Sequence, residues 1–250
     1  MDYLREREFS IAFAKYRYLH TKEVECWVER FRDLCHCSAG TSVLDIGCGT
    51  GRFTYILAVY LGCMTCGLDI SAHMLYHASV NTLPKLYWVR GDTEKLPFKA
   101  CSLDLIFLSM VLEHIENKEK AMFEGYRILN VGGRVAIRMC DKTQLARTSW
   151  YRWFPTALRM DLAKMPDPER VCGILDSAGF AGTLTYKFDD ERVEPPARYI
   201  ARIRGKAYSA LQSMPQEEFE SGLSLLEKEL SSTRYFRYTS PCTLVVGRKL

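Results

Sequence analysis

Three glycines at alternating positions, Gly47, Gly49 and Gly51, follow a short apolar stretch at residues 42–46. The β-branched character of this stretch predicts a buried strand, and the pattern beyond the glycines predicts a helix. A glycine turn between a strand and a helix offers free backbone N–H groups to a ligand, and it can lie close to that ligand because it lacks side chains. Asp45 adds a fixed negative charge where the strand ends. Together these residues predict a nucleotide-type cofactor site on the first strand of an α/β sheet.

Two classes of cofactor fit a glycine turn of this kind. Dinucleotide-binding folds use Gly-x-Gly-x-x-Gly, whereas this chain has Gly47-x-Gly49-x-Gly51. A carboxylate at Asp45 would repel a pyrophosphate, but it suits a ligand that carries an ammonium group and a sulfonium charge. Asp69 ends the second predicted strand, where its carboxylate can accept hydrogen bonds from both ribose hydroxyls, a role that both classes share.

Strands and helices alternate after this motif, which predicts βαβ units and a Rossmann-like, doubly wound, mostly parallel seven-stranded sheet of the α/β class. The predicted strands are 42–46, 64–69, 86–90, 103–109, 134–139, 183–188 and 238–246, and the helices between the first five are 52–61, 71–80 and 118–129. Such a sheet binds ligands beyond the carboxyl ends of its strands, at the switch in strand order. That edge would hold Gly47, Asp69, Asp92, Ser109 and Arg138.

The segments that flank this core predict lid and substrate elements within one domain, 1–250. Residues 1–38 predict two helices, which either pack on the sheet or close over the site as a lid. Residues 41–140 form the cofactor-binding core, and residues 141–250 supply substrate-side helices and the last strands. The long connection between the last two predicted strands is typical of a late insertion that forms a lid or a substrate wall.

A dense aromatic and basic cluster lies at residues 150–154, after the fifth predicted strand. Two interpretations stay open: the rings form part of the core, or they line the acceptor site together with Arg147 and Arg152. Arginines beside an aromatic wall would suit a molecule that carries a carboxylate, a phosphate or another planar anionic group. The second interpretation therefore predicts an anionic or aromatic small-molecule partner.

Composition and charge exclude several classes of protein. The chain has 250 residues, a net charge of +4 and no long block of Lys or Arg, so a nucleic-acid partner is not expected. No apolar run reaches the roughly 18 residues that a membrane span needs, and the charged N-terminus lacks a signal-peptide core. Most of the ten cysteines lie in or beside predicted buried strands and turns, which favours reduced thiols and a cytoplasmic protein. No metal site is expected, because Cys63 and Cys66 have no second cysteine pair at ligand spacing.

Several segments at the carboxyl ends of predicted strands resemble the motifs of the class I S-adenosylmethionine-dependent methyltransferases, and in particular their small-molecule, methyltransferase type 11-like branch. The segments are Val43–Gly51, Gly67–Ser71, Gly91–Phe98, and Ser102–Ile106 with the Leu112–Ile115 that follows strand four. They occur in the family's order and cover residues 41–140. The resemblance implies S-adenosylmethionine as the cofactor and transfer of its methyl group to an O, N, S or C atom of a small-molecule acceptor.

The resemblance also implies residues for the methionine part of the cofactor. Gly47 and Gly49 would hold it through backbone contacts beside Asp45, and Ser109 would lie next to it. The family's N-terminal Tyr/Arg pair, which closes over the methionine carboxylate, is matched here by Tyr16-Arg17 or by Tyr18.

The nucleoside part of the cofactor has its own set of implied residues. Asp69 would bind the ribose diol, and Ile70 would pack on the adenine. Asp92 would accept a hydrogen bond from the adenine amino group, and the backbone N–H of Thr93 would face a ring nitrogen.

Methyl transfer from a sulfonium depends mainly on holding the acceptor in line with the breaking bond. Glu113 and His114 are the candidate catalytic residues, and a base is needed only for an acceptor that enters protonated. The alternative is that these two residues shape the pocket or begin the next helix.

Three other functions stay open. An NAD(P)-dependent oxidoreductase would share Asp69, but it gives no reason for Asp45 or for the segment at residues 91–92. A catalytically silent binding module could keep the fold and lose the chemistry. A protein or RNA acceptor is a variant of the methyltransferase interpretation, although no Asn-Pro-Pro-Tyr-like segment follows strand four, which argues against the amino groups of nucleic-acid bases.

Overall fold

The computed structural model describes residues 3–17, 19–80 and 83–250 of the chain. Tyr18, one of the residues suggested for the methionine carboxylate, lies outside the described residues. The chain divides into two compact units. We call residues 19–139, 166–186 and 244–250 the sheet unit, and residues 1–18, 140–165 and 187–243 the helical unit. A single domain over the whole chain stays a prediction.

Seven strands form one sheet in the order β3-β2-β1-β4-β5-β7-β6. Their bounds are β1 Ser42–Ile46, β2 Met64–Asp69, β3 Leu86–Arg90, β4 Leu103–Ser109, β5 Leu129–Met139, β6 Phe180–Glu194 and β7 Phe236–Lys249. The first five strands pair in parallel, and β1 lies between β2 and β4. The strand order therefore reverses at β1, which puts the expected ligand site at the carboxyl end of that strand. The predicted Rossmann-like, mostly parallel seven-stranded sheet is confirmed.

The helices flank these strands along the chain. Their bounds are α1 Tyr3–Tyr16, α2 Thr21–Asp33, α3 Arg52–Leu61, α4 Ala72–Ser79, α5 Lys118–Ile128, α6 Lys142–Arg147, α7 Pro155–Lys164, α8 Pro168–Ser177, α9 Pro196–Arg204, α10 Ser209–Ser213 and α11 Gln216–Leu230, with two 3₁₀ turns at Leu112–His114 and Ser149–Trp153. The bounds of three strands differ from the prediction. Strand β5 begins before the predicted 134, since Gly132 and Gly133 lie within the strand as an irregularity in its pairing with β4. Strands β6 and β7 are longer than predicted, and β6 alternates between half-buried and exposed residues, so its polar positions resemble a loop in sequence.

An aromatic cluster joins helix α2 to the core of the sheet unit. Trp27 and Phe31 of α2 are buried against Phe53 of α3 and Phe107 of β4. The ring centroids lie 5.0 Å apart for Trp27 and Phe53, 4.9 Å for Phe31 and Phe107, and 5.2 Å for Phe53 and Phe107, in edge-on arrangements that aromatic rings prefer. Helix α2 is therefore a packed element of the sheet unit. For this part of residues 1–38, the structure agrees with the interpretation that the helix packs on the sheet.

The aromatic segment at residues 150–154 forms the core of the helical unit. Its rings are buried, and Phe154 is 0% exposed. Trp150 stacks on Tyr208 with a centroid separation of 4.9 Å, and Phe154 stacks on Phe219 at 5.8 Å. The rings therefore belong to the core, and the interpretation that they line an acceptor site is wrong. The reason is that residues 140–165 and 187–243 need a hydrophobic core of their own.

The two arginines of this segment are exposed and paired. Arg147 lies 3.0 Å from a carboxylate oxygen of Asp189, and Arg152 lies 2.6 Å from one of Glu229. Exposed pairs of this kind contribute little to stability.

Removal of the Phe154 ring should strongly destabilise the protein. Because the ring is fully buried, we expect Phe154→Ala to lower the free energy of unfolding by about 3–5 kcal/mol. Arg152→Gln is the control from the same segment, and it should cost less than about 1 kcal/mol, since it removes only an exposed ion pair. Urea unfolding followed by circular dichroism measures both changes. A Phe154→Ala protein as stable as Arg152→Gln would contradict the assignment of these rings to the core.

Candidate cofactor site

The glycine turn between β1 and α3 adopts a conformation that favours glycine at three positions. The φ angles of Gly47, Gly49 and Gly51 are 64°, 57° and 79°, in the left-handed region that residues with a side chain rarely adopt. Space is also lacking, because a Cβ at Gly47 would overlap the Val111 side chain and a Cβ at Gly51 would overlap the Trp88 ring. The turn is therefore held close to its neighbours, and its backbone is the surface available to a ligand.

Asp69 ties this turn to the end of β2. One carboxylate oxygen accepts a hydrogen bond from the backbone N–H of Gly49 at 2.8 Å, and the other accepts from the N–H of Ser71 at 2.9 Å. Both oxygens of this half-buried carboxylate therefore accept backbone hydrogen bonds, which fix its position beside the turn. Ile70 follows it with 68% of its surface exposed, which leaves an open apolar face beside the carboxylate.

The loop after β3 lies at the same corner. The backbone N–H of Gly91 donates to the carbonyl of Asp69 at 3.1 Å. Asp92 is exposed, and its carboxylate accepts from the N–H of Glu94 at 2.9 Å, which orders the loop around the half-buried Thr93. The structure therefore brings together Asp69, Ile70 and the Asp92-Thr93 pair, which are the residues expected to hold a nucleoside.

The end of β4 places the remaining predicted residues next to the glycine turn. Met110 follows Ser109 with a φ of 54°, and its N–H donates to the carbonyl of Arg138 at 2.9 Å. Val111 then packs on Gly47 and leads into the 3₁₀ turn that carries Glu113 and His114. Glu113 is half-buried and His114 is exposed. The two catalytic candidates thus follow directly from the segment that contacts the turn.

Arg138 also lies at this edge. The sequence predicted its position there but indicated no role for it. Its guanidinium lies 5.5 Å from the ring centroid of Trp27 and 5.8 Å from that of Phe53, and one of its terminal nitrogens donates to the Ser109 hydroxyl at 3.4 Å. Its Nε is buried and has no acceptor among the described residues. The signal in the sequence was a single arginine near the end of an otherwise apolar strand.

Asp45 is buried within the sheet unit and differs from the prediction in its charge. The side chain is 1% exposed, and the Thr54 hydroxyl donates to its carboxylate at 2.6 Å. Burial raises the pKa of Asp45 to about 7, although the Thr54 hydrogen bond and the charge of Arg52 oppose that rise. Burial therefore opposes the fixed negative charge expected at this position. Its direct contact with a cofactor stays a prediction.

Arg17 belongs to the helical unit. Its guanidinium carbon lies 4.6 Å from the ring centroid of Tyr208 and 5.3 Å from that of Phe13. Tyr16, its neighbour, packs against Gly205, where a Cβ would overlap the tyrosine ring. The role predicted for Arg17 at a methionine carboxylate stays a prediction.

Other ligand types find less support. Cys35, Cys37 and Cys63 are buried thiols, and burial raises the pKa of Cys35 to about 12. Across residues 3–17, 19–80 and 83–250, the structure contains no group of three or more His, Cys, Asp or Glu side chains placed to hold a metal ion. In the same ranges no helix is long and apolar enough to span a membrane.

The residues at the edge of β1, β2 and β4 fit S-adenosylmethionine. Asp69 offers acceptors to a ribose, Ile70 offers an apolar face to a base, and the exposed backbone of the glycine turn can contact an amino-acid group. The buried Asp45 lies in the strand that leads into this turn, and its carboxylate form would be favoured by a nearby cation. The arrangement can therefore hold a nucleoside with a positively charged tail.

Comparisons with known proteins agree with this geometry. Residues 44–137 match the family model described as "Methyltransferase domain". The chain is 31% identical over 141 residues to the chloroplastic 2-phytyl-1,4-beta-naphthoquinone methyltransferase of Arabidopsis thaliana, a match that covers 50% of this chain and 54% of that protein. It is 32% identical over 126 residues to the malonyl-[acyl-carrier protein] O-methyltransferase of Pectobacterium atrosepticum, covering 50% of this chain and 49% of that protein. The chain thus spans about half the length of these curated relatives.

A solved structure shares the fold over most of the chain. The structure of a putative methyltransferase from an antibiotic biosynthesis pathway of Anabaena variabilis superposes with a TM-score of 0.72 and 20% sequence identity. The superposition covers 90% of this chain and 97% of that one. At this level of identity the likeness establishes the fold.

The raised pKa of Asp45 predicts a measurable pH dependence of stability. The folded value of about 7 lies above the value of about 4 in an unfolded chain, so the folded state holds this proton more tightly. The contribution of Asp45 to stability should therefore fall as the pH rises from about 4 to about 7. Relative to wild type, Asp45→Asn should gain stability across this window, by up to a few kcal/mol, and the gain should be constant above it. Urea unfolding at a series of pH values measures the difference.

Asp104 is the matched control for this experiment. Burial opposes ionisation of this carboxylate, but hydrogen bonds from Ser42 and Asn130 outweigh it and lower the pKa of Asp104. Asp104→Asn should therefore show the opposite trend, with a loss of stability relative to wild type that shrinks as the pH falls below about 4. A difference between wild type and Asp45→Asn that does not change with pH would contradict the buried, proton-binding role of Asp45.

Proposed function

We propose that this chain is an S-adenosylmethionine-dependent methyltransferase, like the family and the relatives that part of it matches, and that it transfers the methyl group of S-adenosylmethionine to a small-molecule acceptor. The observation that carries the proposal is the contact of Asp69 with the N–H of Gly49. It joins the glycine turn, a strand-end carboxylate and the exposed Ile70 at one corner of the sheet. A nucleoside and an amino-acid tail can occupy such a corner together.

Each part of the cofactor has residues to hold it. Asp69 accepts from the ribose hydroxyls, Ile70 covers one face of the adenine, and Asp92 and the Thr93 N–H bind the adenine edge. The backbone of Gly47 and Gly49 and the Ser109 side chain hold the methionine part. The bound cofactor supplies a methyl group on a positively charged sulfur.

The chain contributes to the reaction mainly by positioning. In-line transfer requires the acceptor atom about 3–3.5 Å from the methyl carbon, aligned with the bond that breaks. Glu113 and His114, on the turn after β4, can remove a proton from an acceptor that enters protonated. An acceptor that is already nucleophilic needs no such base.

The names of the relatives support a small-molecule acceptor without choosing one. One relative is named for a naphthoquinone and another for a malonyl group carried by a protein. These names differ in the chemistry of the methylated group, and both matches cover only about half of the named protein. The family therefore supports the donor, and the acceptor has to be argued from residues outside the matched segment.

Titration calorimetry tests the donor. Wild type should bind S-adenosylmethionine and its demethylated product but not NAD, and Asp69→Ala should bind both sulfur ligands at least about tenfold more weakly, since it removes charge-assisted hydrogen bonds to the ribose. Asp104→Asn is the control, because it changes a strand-end carboxylate at the opposite, amino-terminal end of β4 and should bind as wild type does. Circular dichroism confirms that each variant is folded.

The rival functions give different results in the same titration. Binding of NAD without either sulfur ligand would overturn the proposal in favour of an oxidoreductase. Binding of the sulfur ligands without transfer of a labelled methyl group to any member of a broad acceptor panel would favour a silent binding module. Unchanged affinity in Asp69→Ala would contradict the proposed contact between Asp69 and the ribose, and it would leave the rest of the proposal unaffected.

The two catalytic candidates can be separated from pocket-shaping residues by kinetics. If His114 or Glu113 is a base, His114→Asn or Glu113→Gln should lower kcat by about 10²–10⁴-fold for a protonated acceptor, with the affinity for S-adenosylmethionine unchanged. Ser102→Ala, at the amino-terminal side of β4, is the control and should keep wild-type kcat. If both candidate variants retain kcat within about threefold, the catalytic assignment is wrong and the reaction proceeds by positioning.

A further inference from the structure

Arg138 ends a row of residues that the register of the parallel strands builds at the cofactor edge. Ile46 of β1 pairs with Leu68 of β2 and with Leu108 of β4. Ser109, the next residue of β4, pairs with Arg138 of β5. The residues one step further along β1 and β2 complete the row, which contains Asp69, Gly47, Ser109 and Arg138 across four neighbouring strand ends. The proposed function assigns the first three of them to the cofactor and gives Arg138 no role.

Aromatic rings, and not an acid, hold the side chain of Arg138. Its guanidinium carbon lies 5.5 Å from the ring centroid of Trp27 and 5.8 Å from that of Phe53, within the roughly 6 Å over which a ring face attracts a cation. Both rings are buried in the sheet unit, so they fix the position of the charge. One terminal nitrogen donates to the Ser109 hydroxyl at 3.4 Å, which is longer than a strong hydrogen bond.

The hydrogen-bond donors of Arg138 exceed the acceptors around it. A guanidinium carries several N–H donors and a positive charge. Across residues 3–17, 19–80 and 83–250, the buried Nε of Arg138 has no hydrogen-bond partner and no carboxylate pairs with its charge. A buried donor without an acceptor costs free energy, and in a native structure it calls for an explanation such as a bound group. A ligand with a negative charge would supply the missing acceptor.

Arg127 shows how an arginine with a structural role is satisfied in the same unit. Its Nε lies 2.7 Å from a carboxylate oxygen of Glu124. Its terminal nitrogens also donate to the carbonyls of Phe98 and Leu96, at 2.8 Å and 3.1 Å. The protein alone therefore supplies the acceptors for Arg127. Arg138 differs because its neighbours are two rings and one hydroxyl.

We propose that Arg138 binds the carboxylate of the methionine part of S-adenosylmethionine. The inference rests on the proposed function, because it takes the ribose to lie at Asp69 and the methionine part to lie at Gly47 and Ser109. The sulfonium and the ammonium of the cofactor are positive, so the carboxylate is the group that an arginine attracts. The planar fork of a guanidinium can donate to both carboxylate oxygens at once.

The length of the row suits an extended cofactor. Neighbouring strands lie about 4.8 Å apart, so the ends of β2 and β5 are separated by three spacings, or about 14 Å. The contact between Arg138 and Ser109 places the guanidinium on the β4 side of its own strand, which shortens the gap to the methionine part. The ribose and the carboxylate, at opposite ends of the row, can therefore be held at the same time.

The assignment also keeps the partners of the cofactor within one unit. Asp69, Ser109 and Arg138 all belong to the sheet unit. Arg17, which the family resemblance implied for the same carboxylate, belongs to the helical unit, where its guanidinium lies against the ring of Tyr208. Arg138 therefore shares both a unit and a strand edge with the residues proposed for the rest of the cofactor.

Titration calorimetry with two ligands measures this contact without turnover. S-adenosylmethionine and its decarboxylated form both carry the nucleoside, the sulfonium and the ammonium, and they differ in the carboxylate. Wild type should bind S-adenosylmethionine about 10- to 100-fold more tightly than the decarboxylated form, as expected for a hydrogen bond between charged groups. In Arg138→Gln the two affinities should agree within about threefold, because the variant loses the contact with the carboxylate and keeps the others.

Two further variants separate the guanidinium from a general change in the strand. Arg134→Gln removes a half-buried arginine of the same strand, which lies beside His36, and it should keep the wild-type preference for S-adenosylmethionine. Arg138→Lys keeps the charge without the planar fork, so its preference should lie between those of wild type and Arg138→Gln. Circular dichroism checks that each variant is folded.

Several outcomes would overturn the assignment. If wild type binds both ligands equally, or if Arg138→Gln and Arg134→Gln show the same preference, Arg138 does not bind the carboxylate and the proposed function stands. If Arg138→Gln keeps the preference but raises KM for an acceptor that carries a carboxylate, the anion bound by Arg138 belongs to the acceptor and not to the cofactor. If wild type binds neither ligand, the proposed function fails and this inference fails with it.

Discussion

The hydrogen bond from the Gly49 N–H to the carboxylate of Asp69 is the contact on which the cofactor edge depends. The turn that makes it adopts left-handed backbone at Gly47, Gly49 and Gly51, where a side chain would be strained. A Cβ at Gly47 would also overlap Val111, and one at Gly51 would overlap Trp88. The carboxylate that orders the turn is also the group proposed to bind the ribose. Structure and ligand binding therefore share one residue, and the loop after β3 is attached to the same place through the carbonyl of Asp69.

Desolvation raises the pKa of acidic groups in both units, but the neighbouring side chains differ, so the net pKa shifts of Asp45 and Tyr208 have opposite directions. In the sheet unit, Asp45 has a hydroxyl for a partner, so burial dominates and raises the pKa of its carboxyl. In the helical unit, Tyr208 is half-buried beside Arg17 and Arg202, and their charges outweigh the effect of burial and lower the pKa of the phenol. A nearby cation would favour the carboxylate form of Asp45.

The family match covers only part of the chain. Residues 44–137 match the family model, and all of them belong to the sheet unit. The helical unit lies outside that match. The comparisons therefore support a methyl donor, and they leave the acceptor open.

The sequence by itself determined the α/β class with its mostly parallel sheet, the glycine turn and the residues at the strand ends, because these depend on local patterns. Alternating apolar segments, left-handed glycines and a carboxylate at the end of a parallel strand can each be recognised within about ten residues. It did not determine the protonation of Asp45, which depends on burial beneath side chains distant in sequence. It also left open whether Arg147 and Arg152 face an anionic acceptor, and in the structure these arginines are paired with Asp189 and Glu229. Only the tertiary structure decided these pairings, because 42 residues separate Arg147 from Asp189 and 77 separate Arg152 from Glu229 along the chain.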